Sequence, residues 1–179
     1  MNLFYLDENP ETAAKMHHDK HVVKMILETA QLLSTAHRVL DGELWHDQSK
    51  NGRKIKRWKL NGSLENILYK ATHVNHPSNI WVRECKENYI WAYRLFVALC
   101  SEYTHRYGKV HLTETKLKEF LKTPPSNIEN KPLTKMPQAM PDVYKDEDSV
   151  KAYRNYYITE KKGQSKYTNR ETPFWLLDK

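Results

Sequence analysis

A mainly α, compact single-domain fold with long loops and an extended proline-rich segment is what residues 1–179 predict. Two long spans with apolar residues at three- and four-residue spacing carry that expectation, together with a glycine count of only five. So few glycines argue against a glycine-rich nucleotide-binding fold and against a turn-rich sheet protein.

Asn2-Leu3-Phe4-Tyr5-Leu6 reads as a short strand or an extended segment tied to the core. Asp7 or Asn9 then caps a helix with Pro10 at an early helical position. From about Glu11 to Leu40 the pattern is helical, with a possible break at His17 or His18. Val23, Ile26, Ala30, Leu33 and His37 define its inward stripe. Residues 41–62 read as a long basic loop, which is unusual in a compact domain and points to a functional surface.

A short helix is expected over 64–73, ended by Asn75-His76-Pro77 because the residue before proline avoids helical dihedrals. Ser78 is expected to cap a second long helix over 79–107, with Ile80, Cys85, Tyr89, Ala92, Phe96, Leu99 and Tyr103 inward and Gly108 at its exit. Thr113 opens a shorter helix through Leu121. The prolines between 123 and 144 imply an extended wrap, and a last helix runs over 148–161 before a tail with Phe174 and Trp175.

A formal net charge of +7 favours a polyanionic partner, DNA foremost and RNA as a possibility. The basic residues concentrate at Lys50, Arg53, Lys54, Lys56, Arg57 and Lys59, and again at Lys151, Arg154, Lys161, Lys162, Lys166 and Arg170. No apolar run approaches the roughly 20 residues of a membrane span. Nor do the first ten residues read as a secretory signal, so a cytoplasmic location is expected. Cys85 and Cys100 form no metal motif and read as core thiols.

His17-His18-Asp19-Lys20-His21-Val22-Val23-Lys24-Met25-Ile26-Leu27-Glu28 is the densest chemical stretch. Periodicity puts His17, His21, Lys24, Glu28 and Gln31 on one polar face and Asp19 at the head of the apolar stripe. Asp19 is then either a helix cap or a partly buried acid whose proton affinity its surroundings tune. His17 and His21, four apart, suit structure, acid–base work, phosphate contact or a metal; no recognised metal motif accompanies them, and no metal or cofactor is assigned. Lys20 and Lys24 are candidate phosphate contacts, as are Lys54, Arg57 and Arg154. Asn75 and His76 offer turn chemistry or contacts to a phosphate or base, and Tyr157 either stacks on a base or packs in the core.

Tyr5-Leu6-Asp7, His18-Asp19-Lys20-His21-Val22-Val23-Lys24-Met25, Asn75-His76-Pro77 and Tyr153-Arg154-Asn155-Tyr156-Tyr157 resemble a family of small phage and bacterial proteins over most of the chain. That resemblance brings no activity with it. A weaker one, through Asn75-His76-Pro77 and Leu99 to Gly108, is to the pyrimidine-dimer DNA glycosylases. It implies that an N-terminal amine attacks the sugar C1′ while a carboxylate on an early helix assists. The matching residues are the amine of Met1 and Asp19, with Glu28 the second choice; His21, apart from the resemblance, is a further catalytic candidate for acid–base work. In that family a small residue carries the amine; here Asn2 hinders removal of Met1, so Met1 would carry it. Model α-amines titrate at about 7.7–8.0, so a neutral fraction exists at physiological pH. The function expected is a base-excision glycosylase/lyase. The competing expectations are a noncatalytic nucleic-acid-binding or phage-defence adaptor and a metal-dependent nucleotide-processing enzyme.

Overall fold

The N-terminal segment holds the key to how the chain is organised. Residues 2–6 form an irregular arm without helix or strand, with Asn2, Leu3, Phe4 and Leu6 buried, held by the C-terminal part of the molecule. Asn2 donates its amide to the Ala139 carbonyl at 2.9 Å and accepts the Tyr153 hydroxyl at 2.9 Å. Arg154 Nε donates to the Leu6 carbonyl and Trp91 Nε1 to the Glu8 carbonyl, so two helices far apart in sequence grip the same short arm. The computed structural model describes residues 1–161, 163 and 165–177.

Eight α-helices and one hairpin occur among the described residues: α1 Pro10–Met16, α2 Asp19–Asp41, β1 Glu43–Gln48, β2 Lys54–Lys59, α3 Leu64–Ile67, α4 Pro77–Glu84, α5 Lys86–Tyr107, α6 Leu112–Leu121, α7 Ser149–Lys161 and α8 Phe174–Leu177. The chain is one mainly helical domain. The two longest helices, α2 and α5, pack together, with α1 and α4 continuing the layer and α6 across one end. Leu32, Leu33, Leu95, Phe96 and Leu99 fill the seam between them and are fully buried. No described helix is long and apolar enough to cross a membrane.

Asn9 caps α1 by accepting from the Thr12 N–H at 2.8 Å, and Gly108 ends α5 with φ +63°, as the sequence implies. The expected break at His17–His18 is also present, each histidine serving as a helix boundary. The stretch from 123 is extended and wraps the domain, with only a 3-10 turn at Asp142–Tyr144 before α7. Cys85 and Cys100 are buried free thiols.

Several boundaries differ from expectation. The stretch 41–62 is not a loop: β1 and β2 pair antiparallel, Glu43 opposite Lys59 and Gln48 opposite Lys54. The missed signal is Asn51-Gly52, with Gly52 at φ +72° in the turn. The helix expected over 64–73 stops at Ile67, and the second long helix is divided at Cys85, whose φ of −154° is extended. His76, not Ser78, is the cap of α4: its Nδ1 accepts from the Ser78 N–H at 3.2 Å. Val23 and Ile80 are exposed rather than inward, and Val22 takes the place of Val23 in the stripe. A one-residue error of that kind rotates a helix face by about 100°.

Candidate active site

The three histidines of the dense stretch go to the core. His17 is fully buried at the end of α1, its Nδ1 donating to the Ala13 carbonyl at 2.7 Å. Burial, first of all, pulls it down from 6.5 to about 4, so it is neutral near pH 7. His18 stacks on His21 with ring centroids 4.0 Å apart, and Phe4 covers His21 at 4.2 Å. His21 Nδ1 shares a 2.6 Å hydrogen bond with the Tyr157 hydroxyl, and Tyr157 is itself fully buried.

His17 and His21 thus sit on two different helices, and the polar face the spacing implied does not include them. Neither His17 nor Tyr157 can meet a substrate, and His21 is held as a core histidine. The core demands this arrangement because a bend at residues 17 and 18 turns both rings under Phe4. No three His, Cys, Asp or Glu side chains among the described residues group so as to hold a metal.

Asp19 is the hub of an ion network. Oδ1 accepts from Arg106 Nη1 at 2.9 Å and from the Thr168 N–H at 3.0 Å, and Oδ2 accepts the Thr168 hydroxyl at 2.6 Å. Arg106, itself buried, also donates to Glu102, which Arg170 clasps through two nitrogens at 2.8 and 2.9 Å. Burial alone would raise Asp19, but the Thr168 and Arg106 hydrogen bonds outweigh it and hold the carboxyl below its usual range. These three hydrogen bonds engage both oxygens of the acid, so the network fastens the tail to α2 and α5. Arg154 has a parallel duty, joining α7 to the arm through Leu6 and to Asp7 at 3.2 Å. Lys151 pairs with Asp146, and Lys162 lies outside the described residues.

Glu28 occupies different ground. It lies nine residues beyond Asp19 on the same helix, about 13 Å along the axis at 1.5 Å per residue. The α-amino nitrogen of Met1 stands 3.8 Å from Glu28 Oε2, and Lys24 Nζ stands 3.3 Å from Oε1. Glu28 is 15 % exposed and Lys24 62 %, so the carboxylate is sheltered while one of its cations reaches solvent. The amine's position comes from the arm: Asn2 is pinned on both sides, and Phe4 is held at φ +49°. A bulky residue in that region is strained and persists only where its surroundings fix it.

His76, the cap of α4, stands near enough to feel the charges of the Met1 amine and Glu28. Burial lowers its basicity first, then the Met1 ammonium and His73, while Glu28 opposes them. Its Nδ1 accepts from the Ser78 N–H, so the neutral ring carries its proton on Nε2. His73, before the cap, is a second strained residue at φ +47° and bonds Thr72 Oγ1 at 2.8 Å. Thr72 is in turn fastened to Thr35 of α2, two turns beyond Glu28.

The segment 71–75 forms one wall of an open groove of about 590 Å³ whose other wall is β2. Lys54, Lys56, Arg57 and Trp58 line it opposite His73 and Asn75, and among the described residues no acidic side chain lines it. Lys20 is exposed on α2. A separate cleft of about 520 Å³ is walled by Tyr93, Val97 and Ala98. Four of its charged groups already pair with each other, Arg94 with Glu11 and Arg170 with Glu102.

The structure therefore brings together Met1, Lys24 and Glu28, with His76 near enough to feel the charges of Met1 and Glu28, while Asn75, Lys54 and Arg57 line the groove. It leaves Asp19, His17, His21, Arg154 and Tyr157 in packing and tethering roles. Sequence reasoning missed the strain at Phe4 and His73, for which no sequence signal exists in residues that ordinarily avoid positive φ. No family model, curated protein or solved structure matches the chain.

Proposed function

We propose that this protein is a DNA base-excision glycosylase/lyase that uses the Met1 amine as nucleophile and Glu28 as its proton partner. The observation carrying the reading is the 3.8 Å separation of amine and carboxylate at a sheltered position. That is ion-pair distance; a proton passes between the two once they close by about 1 Å or through one water. The transfer creates a neutral amine and a neutral acid together, the two species the reaction needs.

The amine nitrogen then bonds to C1′ as the C1′–base bond breaks, and the base leaves with the electron pair and takes a proton from solvent. Loss of the second amine proton and protonation of O4′ by Glu28 open the sugar ring to a Schiff base. Removal of a C2′ proton expels the 3′ phosphate and completes the lyase step. The Nε2–H of His76 is a donor for a phosphate or base oxygen beside these groups. The target nucleotide must leave the stack to reach them, as bases do in enzymes of this chemistry. A cytoplasmic location suits a DNA substrate.

Borohydride trapping tests the reading on single- and double-stranded DNA carrying abasic sites and a panel of altered bases. A covalent adduct that disappears on N-terminal acetylation is the expected result. Intact mass identifies the residue that carries the amine. Absence of an adduct, or activity unchanged after the amine is blocked or displaced by an added residue, overturns it.

A further inference from the structure

We infer that the groove between β2 and residues 71–75 is the track for the phosphodiester backbone of the DNA strand that enters the site, an inference that rests on the reading above for its substrate.

The hairpin separates its charges by face. Side chains alternate across a strand, so the observed register puts Leu44, His46 and Gln48 with Lys54, Lys56 and Trp58 on one face. The other face holds Glu43, Trp45 and Asp47 with Ile55, Arg57 and Lys59. Both acids of the hairpin strands therefore share the face of Arg57 and Lys59: Glu43 is opposite Lys59, and Asp47, diagonal to Arg57, lies 3.7 Å from it. Lys54 and Lys56 are left exposed on an acid-free face.

The hairpin is also poorly covered for a two-stranded unit, which is marginal alone in water. Leu44 is 50 % and Trp45 46 % exposed, and Arg38 secures the base of the ribbon by donating to the Trp58 carbonyl at 3.0 Å. An anchored root with an open, cationic blade suits contact with an external polymer. Trp58 within the groove gives a flat surface against which a base or sugar can rest.

The groove's far wall leads to the reactive pair. His73 lines it and, three residues on, His76 feels the charges of both the Met1 ammonium and Glu28. Thr35 and Glu28 share a face of α2 two turns apart, about 10 Å along the axis, so the wall and the carboxylate are set on one rigid element. A strand neutralised by Lys54 and Lys56 thus lies against the wall whose sequence continues to His76.

The test is the salt dependence of binding to a 16-nucleotide DNA bearing a reduced abasic analogue, read by fluorescence anisotropy. For Lys54→Gln/Lys56→Gln the slope of log K against log salt is expected to become shallower by about 1.4, at roughly 0.7 per lost single-strand contact. The remote pair Lys145→Gln/Lys151→Gln is expected to leave it within error. Circular dichroism and thermal melting establish that each variant folds, and His73→Ala gives an independent change on the opposite wall. An unchanged slope in the Lys54/Lys56 variant overturns the track. Equal competition by dextran sulfate at matched charge overturns it too, as does tighter binding of the same sequence as RNA. The two ideas fail separately: a shallower slope without a borohydride adduct removes the chemistry and keeps the track. An adduct with an unchanged slope does the reverse.

Discussion

The Met1 amine and the Lys24 ammonium approach opposite oxygens of one carboxylate, Glu28, at 3.8 and 3.3 Å. Two cations on one acid would favour a fixed carboxylate in any protein. Here one of them is the chain's own α-amine, held by an arm whose next residue is hydrogen-bonded at both ends of its side chain. The arrangement makes Glu28 separable from the structural acids: its loss removes a proton partner without opening a buried network.

Glu28→Gln is therefore expected to lower single-turnover strand cleavage by about 10²–10⁴-fold, the range of general acid–base assistance. Melting temperature should stay within a few degrees, since partly exposed ion pairs contribute little to stability. A loss of fold together with activity would assign Glu28 a structural duty instead.

Asp19→Ala is expected to act in the opposite way. Arg106 is buried and would lose one of its two carboxylate partners, while Thr168 would lose both of its contacts. Urea unfolding should show a destabilisation of about 2–4 kcal/mol, near the cost of breaking a buried pair. Specific activity of the folded fraction should remain close to that of the unaltered protein. An intact fold with abolished chemistry would return Asp19 to the catalytic role that the sequence suggests.

Acid sensitivity should centre on His17. Its folded value, about 4, lies below the ordinary 6.5, so the unfolded chain binds the extra proton between those limits. Stability from this group is complete above about pH 6.5 and falls as the pH drops toward 4, by about 3 kcal/mol in all. Asp19 and Glu102, both held below their ordinary ranges, lose their contribution at still lower pH, as it falls through their folded values. Urea midpoints from pH 8 to 4 measure the first effect. In His17→Gln the decline between 6.5 and 4 should flatten, although the whole curve sits lower.

Arg38 should prove irreplaceable. Buried on α2, it donates to the carbonyls of Trp58, Glu65, Leu68 and Tyr69 and to the Glu65 carboxylate. Arg38→Lys keeps the charge but lacks the fork that reaches five acceptors. Both Arg38→Lys and Arg38→Met are expected to cost at least about 3 kcal/mol. Hydrogen exchange should accelerate first in β1, β2 and the segment that follows. Uniform protection across the hairpin in Arg38→Lys would contradict this account.

Much of the fold was legible because local rules were sufficient. Asn9-Pro10 opened α1, Gly108 closed α5, the proline-rich stretch stayed extended, and the break at His17–His18 showed as a possible interruption. The hairpin was missed because its strands are polar on both faces, so the alternation that marks a half-buried strand was hidden by lysines. The site was legible as a list but not as an arrangement. Met1 and Glu28 were both candidates, yet Asp19 ranked above Glu28, since a position at the head of an apolar stripe reads alike for a tuned acid and a buried tether.

By itself, the sequence determined the helical class, the two long packing helices, the excess of positive charge and the crowding of imidazoles, amines and carboxylates at residues 17–28. These follow from periodicity, composition and short-range steric rules, which act within a few residues of chain. Only the tertiary structure decided which groups meet. It turned His17 and His21 into the core under Phe4, bound Asp19 to Arg106 and Thr168, and brought the first residue of the chain to Glu28. Those pairings join residues far apart in sequence, and their partners are selected by packing and by the need to satisfy buried polar groups, neither of which a local pattern records.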